Sequence, residues 1–215
     1  MEPPRRPLAS RQTKWAQGLA RTLTQMGVAP NAISVASLVF AIFAALALAQ
    51  SGAATGPLRV VLLLAAAALI QLRLLCNLLD GMVAIEGGRR TAYGEIFNDM
   101  PDRFADVAIL IGAGYGIAAI PFGTQLGWIA AILAVLTAYV RLLGGSMGAQ
   151  QYFIGPMAKQ QRMAVMTAAC VLSTFEPLIG WDGKVLAFAL YVIVAGSIVT
   201  LVRRTLRIVE EVRSR

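Results

Sequence analysis

The chain has 215 residues, of which 58% are hydrophobic and only 14% charged, and its mean hydropathy is +0.69. Soluble domains carry nearer a quarter charged residues, so composition excludes an ordinary soluble fold and places the chain in the membrane class. The net charge of +8 comes from 19 basic and 11 acidic residues, and these sit between apolar runs, so the expected partner is a surface of anionic lipid headgroups and not nucleic acid.

Histidine is absent, which excludes His-based catalysis and His-ligated metal. Cys76 and Cys170 lie inside apolar runs without metal spacing, and read as small buried residues. The opening MEPPRRPLAS has no apolar h-region and does not read as a cleavable signal peptide.

In chain order, the first element is an amphipathic helix over residues 10–27. Trp15, Leu19, Leu23 and Met26 recur at helical spacing, with Arg11, Lys14 and Arg21 largely on other faces. Such a segment is expected to lie in the membrane interface. The sequence APNAIS then ends it and starts the first span, with Asn31 or Ser34 as its cap. Crossing the hydrocarbon takes about 20 mostly apolar residues. Six runs qualify, at roughly 32–50, 58–86, 94–119, 126–148, 158–177 and 184–203. Short turns rich in Gly, Pro or charge separate them. The expected organisation is an N-terminal segment and interfacial helix at 1–31, a six-helix membrane domain at 32–203 and a basic tail at 204–215. The expected fold class is therefore an all-α integral membrane protein.

Basic residues set the orientation. Arg5, Arg6, Arg11, Lys14 and Arg21 precede the first span, Arg89 and Arg90 follow the second, and Lys159 and Arg162 follow the fourth. Arg203, Arg204, Arg207, Arg213 and Arg215 follow the sixth, while the other side has only Arg59 and Lys184 near its turns. Both termini and the 87–93 loop are expected to be cytoplasmic.

Carboxylates inside spans are costly and mark functional sites. Asp80, Glu86, Glu95, Asp99, Asp102 and Asp106, with Arg103 among them, all fall at the ends of the second and third spans. Asn77 and Asp80 are three residues apart and share one helix face. Asn98, Asp102 and Asp106 are four apart and share another. The short hairpin predicts that these helices are antiparallel neighbours with both polar faces converging at the cytoplasmic end. Gly81 and Gly94 leave room for close approach or a bulky ligand. Convergent oxygen ligands suit a hard divalent cation, which can neutralise phosphate during displacement, while a remaining carboxylate takes a proton from an attacking hydroxyl. The bland alternative is a network of interhelical salt bridges, for instance one made by Arg103.

The stretch NLLDGMVAI, EGGRRTAY, GEIFNDMPD (Asn77 to Asp102) resembles the signature of the CDP-alcohol phosphotransferases, D-x-x-D-G-x-x-A-R, eight residues, G-x-x-x-D-x-x-x-D. Asp80, Gly81, Ala84, Gly94 and Asp102 match in register. Asn77 and Asn98 stand where the first and third Asp belong, and Ile85 replaces the arginine. The resemblance implies a homodimeric membrane transferase that moves a phosphatidyl group from a CDP-linked lipid, CDP-diacylglycerol by analogy, to an acceptor alcohol with Mg²⁺ or Mn²⁺. By position it implies that Asp80, with Asn77 and Asn98 as amide ligands and Asp102 completing the set, holds the cation, and that Asp102 is the base.

Two amide substitutions remove two negative charges, which weakens the case for a metal pair. Arg89 or Arg90 is a candidate replacement for the missing cation, and Asp106 for a missing carboxylate. In GPMAKQQR, Lys159 and Arg162 suit a phosphate of the lipid or of the acceptor, as does Arg141 within the fourth span. Positive-inside topology and snorkelling are the competing readings of these three. The expected setting is the bacterial inner membrane. A non-catalytic binder on the same fold, and a small transporter, are the alternatives.

Overall fold

The computed structural model describes residues 13–86 and 94–214. The expected interfacial helix is α1 (Lys14–Gln25), and the spans correspond to α2 (Pro30–Ser51), α3 (Gly56–Glu86), α4 (Gly94–Gly116), α5 (Gly123–Ser146), α6 (Lys159–Ser173) and α7 (Lys184–Arg213). The basic residues Arg5, Arg6 and Arg11 lie outside the described residues.

Among the described residues four helices are long and apolar enough to cross a membrane: α2, α3, α5 and α7. The other two expected spans fall short for different reasons. α4 carries Glu95, Asp99, Asp102, Arg103 and Asp106 in its first half. α6 has 15 residues, a rise of about 22 Å at 1.5 Å per residue.

Neither Asn31 nor Ser34 caps α2. The helix starts with Pro30 in its first turn, after Ala29 in extended conformation, and no side chain caps it. Proline suits this place because the missing N–H would have no helical partner and its φ is already helical. Ser34 is freed for another task, described below.

The helices close into a ring in which α2 packs on α3 and α4, α4 on α5, α5 on α7, α7 on α6, and α6 on α3. The expected α3–α4 pairing is the weakest of these associations, because α2 lies between the two. Small residues set the spacing elsewhere. A Cβ added at Gly112 of α4 would lie 2.5 Å from the Ala45 carbonyl oxygen of α2, and one at Gly127 of α5 would lie 2.7 Å from the Gly114 Cα of α4. The core is correspondingly rich in alanine, including Ala41, Ala44, Ala66, Ala113 and Ala130. Such residues let backbones approach closely where lipid offers no hydrophobic drive to associate.

α1 packs on α3 through Ala16 and Ala20, and Leu23 joins the same cluster. Trp15, Leu19 and Met26 stay exposed, as an apolar face lying at the membrane interface requires. Beyond 203, α7 continues unbroken to Arg213, and Arg204 is buried, donating to the carbonyls of Ile154 at 2.9 Å and Thr137 at 2.6 Å.

Overpacking should expose the dependence on glycine. Gly112→Val is expected to cost about 1–3 kcal/mol, read as a lowered midpoint of thermal unfolding in detergent. Gly18→Ala, with nothing within 4 Å of the added carbon, is expected to leave that midpoint unchanged or raised.

Candidate active site

Long side chains rarely leave water without partners, yet Arg73, Asp80, Asp102, Asp106 and Arg162 are all buried. Each is held by a neighbour from a different helix. Arg73 and Asp80 come from α3, Asp102 and Asp106 from α4, and Lys159 and Arg162 from the first turn of α6.

Asp106 is the most fully paired. One oxygen accepts from Arg73 Nη2 at 2.7 Å and the other from Arg162 Nη2 at 2.7 Å. Arg162 also donates to Thr137 Oγ1 at 3.2 Å and to the Met157 carbonyl at 3.0 Å. These bonds use Asp106 structurally, so it is not free to act as a replacement metal ligand, and most of Arg162's donors are turned inward.

Asp102 lies one turn nearer the helix start. Its Oδ1 and its carbonyl accept from Arg73 Nη2 at 3.4 Å and 3.2 Å. Its Oδ2 accepts from Lys159 Nζ, and the same ammonium donates to Asn77 Oδ1 at 2.7 Å. The Asn77 amide nitrogen is buried without a partner. Lys159 therefore links α3 to α4, with 22% of its side chain exposed.

Asp80 is fixed by other means. Ser34 Oγ on α2 donates to its Oδ2 at 2.8 Å and the Gly81 N–H to its Oδ1 at 2.6 Å. Neither bond brings a charge, and each carboxylate oxygen has a second lone pair left to bind a cation. The charges of Asp102 and Lys159 both act on it.

The expected residues thus separate into groups. Asn77, Asp80, Asp102 and Lys159 come together, and Gly81 contributes its N–H. Ala84 is half-buried on α3, one turn on, while Ile85 is exposed. Gly94 begins α4. Arg89 and Arg90 lie outside the described residues, as do the side chains of Glu86, Glu95 and Asn98. Arg141 joins a second cluster, where its Nη2 donates to the Asp99 carboxylate at 3.3 Å and 3.4 Å. Arg103 donates to Asp99 at 3.2 Å, and the Arg141 guanidinium lies 5.1 Å from the Phe153 ring centroid. Among the described residues Arg103 is thus paired with Asp99, within α4 and not between helices.

Two residues escaped the sequence reading. Arg73 is four residues before Asn77 and seven before Asp80, on the same helix face, so its spacing was the available signal. Ser34 had a signal only as a helix cap, and no local pattern points a serine of α2 at α3.

Among the described residues no group of three or more His, Cys, Asp or Glu side chains could hold a metal ion. Asp80, the Asn77 carbonyl and Asp102 nevertheless present hard oxygen donors of the kind that Mg²⁺ and Mn²⁺ accept. They fit a divalent cation whose remaining ligands are phosphate oxygens or water.

Comparison with known proteins decides what this arrangement belongs to. No family model matches the chain. It is 25% identical over 192 residues to a phosphatidylinositol phosphate synthase of Mycobacterium marinum, covering 86% of this chain and 76% of the relative. It superposes on the crystal structure of the Mycobacterium tuberculosis phosphatidylinositol phosphate synthase with CDP-DAG bound with a TM-score of 0.75, at 22% identity, covering 91% of this chain and 94% of the other. The chain therefore has the fold of that phosphatidylinositol phosphate synthase. The same mycobacterial synthase in complex with manganese and citrate gives a TM-score of 0.74 at 22% identity, over 90% of this chain and 88% of that one.

Removing the buried guanidinium tests how far the network holds the helices. Arg73→Met leaves Asp106 with one cation and strips Asp102 of one partner, and is expected to cost about 3–5 kcal/mol. The check is thermal unfolding in detergent, with Arg73→Lys expected to lose less.

Proposed function

We propose that the chain transfers a phosphatidyl group from CDP-diacylglycerol to an acceptor alcohol at the membrane surface and releases CMP. One observation carries the reading: Asp80 and Asp102, from two helices that hardly touch, are held at one end of the bundle in the fold of a synthase that binds CDP-DAG.

The acceptor hydroxyl attacks the phosphorus on the diacylglycerol side. A new P–O bond forms there, the P–O bond to CMP breaks, and the hydroxyl proton passes to a carboxylate oxygen of Asp102. The oxygen that takes it is Oδ1, because Lys159 holds Oδ2 and the bond from Arg73 to Oδ1 is long, at 3.4 Å. A divalent cation held at Asp80, with Asn98 as an amide ligand, would supply electrostatic stabilisation of the diphosphate and the leaving group. Ser34 and the Gly81 N–H orient Asp80, while Arg73 orients Asp102.

For the acceptor, the relatives are synthases of phosphatidylinositol phosphate, which supports a phosphorylated polyol. Arg141 is the cation best placed to meet its phosphate. Its bonds to Asp99 are long, and its Nε is buried without a partner. Arg89 and Arg90 are proposed to flank the diphosphate from the connecting loop, while Arg162 acts by holding Asp106. Gly81, Ala84 and Gly94 keep the donor's approach clear.

We further read α4 and α6 as crossing the membrane with the other four. Asp102 and Asp106 of α4 face inward onto Arg73, Arg162 and Lys159, and α6 is extended by the turn at Glu176–Leu178. The site then lies at the cytoplasmic face of a bacterial inner membrane, with both termini on that side, in a homodimer.

The test is CMP release from CDP-diacylglycerol by purified protein with Mg²⁺ or Mn²⁺ and a panel of alcohols including inositol phosphate and glycerol phosphate. Chelation is expected to abolish release. Asp80→Asn and Asp102→Asn are each expected to reduce it by about 100-fold or more. Metal-dependent CDP binding with no CMP release for any acceptor would instead establish the non-catalytic binder.

A further inference from the structure

The ammonium of Lys159 sits between an oxygen of α3 and an oxygen of α4. It donates to Asn77 Oδ1 at 2.7 Å and to Asp102 Oδ2. Those are two of the oxygen positions that a cation bridging the helices would use.

Charge explains why a lysine can stay there. Among the described residues the network joins three carboxylates, Asp80, Asp102 and Asp106, to three cations, Arg73, Lys159 and Arg162. Their formal charges cancel. Asp106 has both oxygens taken by arginines, and residues 77 and 98 are amides. One divalent ion at Asp80 would leave a charge that the diphosphate of a CDP-linked donor can balance. A second, placed between Asn77 and Asp102, would share its ligands with an ammonium in a setting of low dielectric, where like charges repel strongly.

The position of Lys159 on its own helix points the same way. It is the first residue of α6, the end of a helix where the dipole disfavours a cation. The contacts with Asn77 and Asp102 supply what the helix end withholds.

We propose that Lys159 is the resident cation of the Asn77–Asp102 pair, so that the site takes one divalent ion, at Asp80, and not two. The inference rests on the transferase reading, and deepens it by assigning the second cationic position to a side chain. It also accounts for the two amides in the signature. Where a lysine supplies one charge in place of two, fewer carboxylates are needed to hold it.

Manganese stoichiometry tests this directly. The full chain is purified in detergent, CDP is added, and Mn²⁺ is titrated by calorimetry and by electron paramagnetic resonance. The wild-type chain is expected to bind one Mn²⁺ with no spin coupling to a second. Lys159→Gln, which frees both oxygens, is expected to bind two, and Lys159→Arg, which keeps a cation, is expected to bind one. Two coupled ions in the wild type overturn the inference, as does a folded Lys159→Gln chain that still binds one. The wild-type measurement decides even if Lys159→Gln does not fold. Two ions together with CMP release would leave the transferase reading intact, whereas no bound Mn²⁺ and no CMP release would overturn both.

Discussion

The buried guanidinium of Arg73 is the constraint around which the end of the bundle that carries Asp80 and Asp102 is organised. It bonds to Asp106 at 2.7 Å and reaches Asp102 as well, so one side chain of α3 holds two turns of α4. A charge of this kind is tolerated only when fully partnered, because an ion left alone in low dielectric costs several kcal/mol. The bonds are therefore mutually dependent. Asp106 is held by both Arg73 and Arg162, and without it Arg162 would lose its carboxylate and Arg73 the nearer of its two. This ties α3, α4 and α6 together and positions Asp102.

The opposite end of the bundle uses a similar device for a different purpose. Arg59 at the start of α3 bonds to Glu176 at 2.6 Å and to Asp182 at 2.8 Å. Glu176 in turn accepts from the N–H groups of Gly183 at 3.0 Å and Val185 at 2.6 Å, satisfying donors that the first turn of α7 leaves open. This clasp joins the start of α3 to the start of α7 through Glu176, and both oxygens of Glu176 are used in it. At the other end Asp80 keeps uncommitted lone pairs and Lys159 an exposed edge.

Much of this was legible in the chain itself. Apolar runs of the right length give the helices, because each backbone polar group in a membrane must be satisfied within its own segment. Asp80, Asp102 and their spacing stand out because charges are rare in such runs. Arg73 carried the same signal, one turn before Asn77, but a single arginine in a run of leucines also reads as a snorkelling residue. Asp106 looked like a spare carboxylate because its spacing matched that of Asp102. Only its contacts show that both oxygens are already committed.

The sequence by itself determined the membrane class, the helices and the identity of the acidic residues, since these follow from local hydropathy and from spacing along one helix. The tertiary structure decided which partners those residues have. It set α2 between α3 and α4, aimed Ser34 at Asp80, consumed Asp106 with two arginines and laid Lys159 across Asn77 and Asp102. Those outcomes depend on how helices distant in the chain pack, and that is fixed by close approach at small residues and by the need to pair every buried charge, neither of which has a period along the sequence.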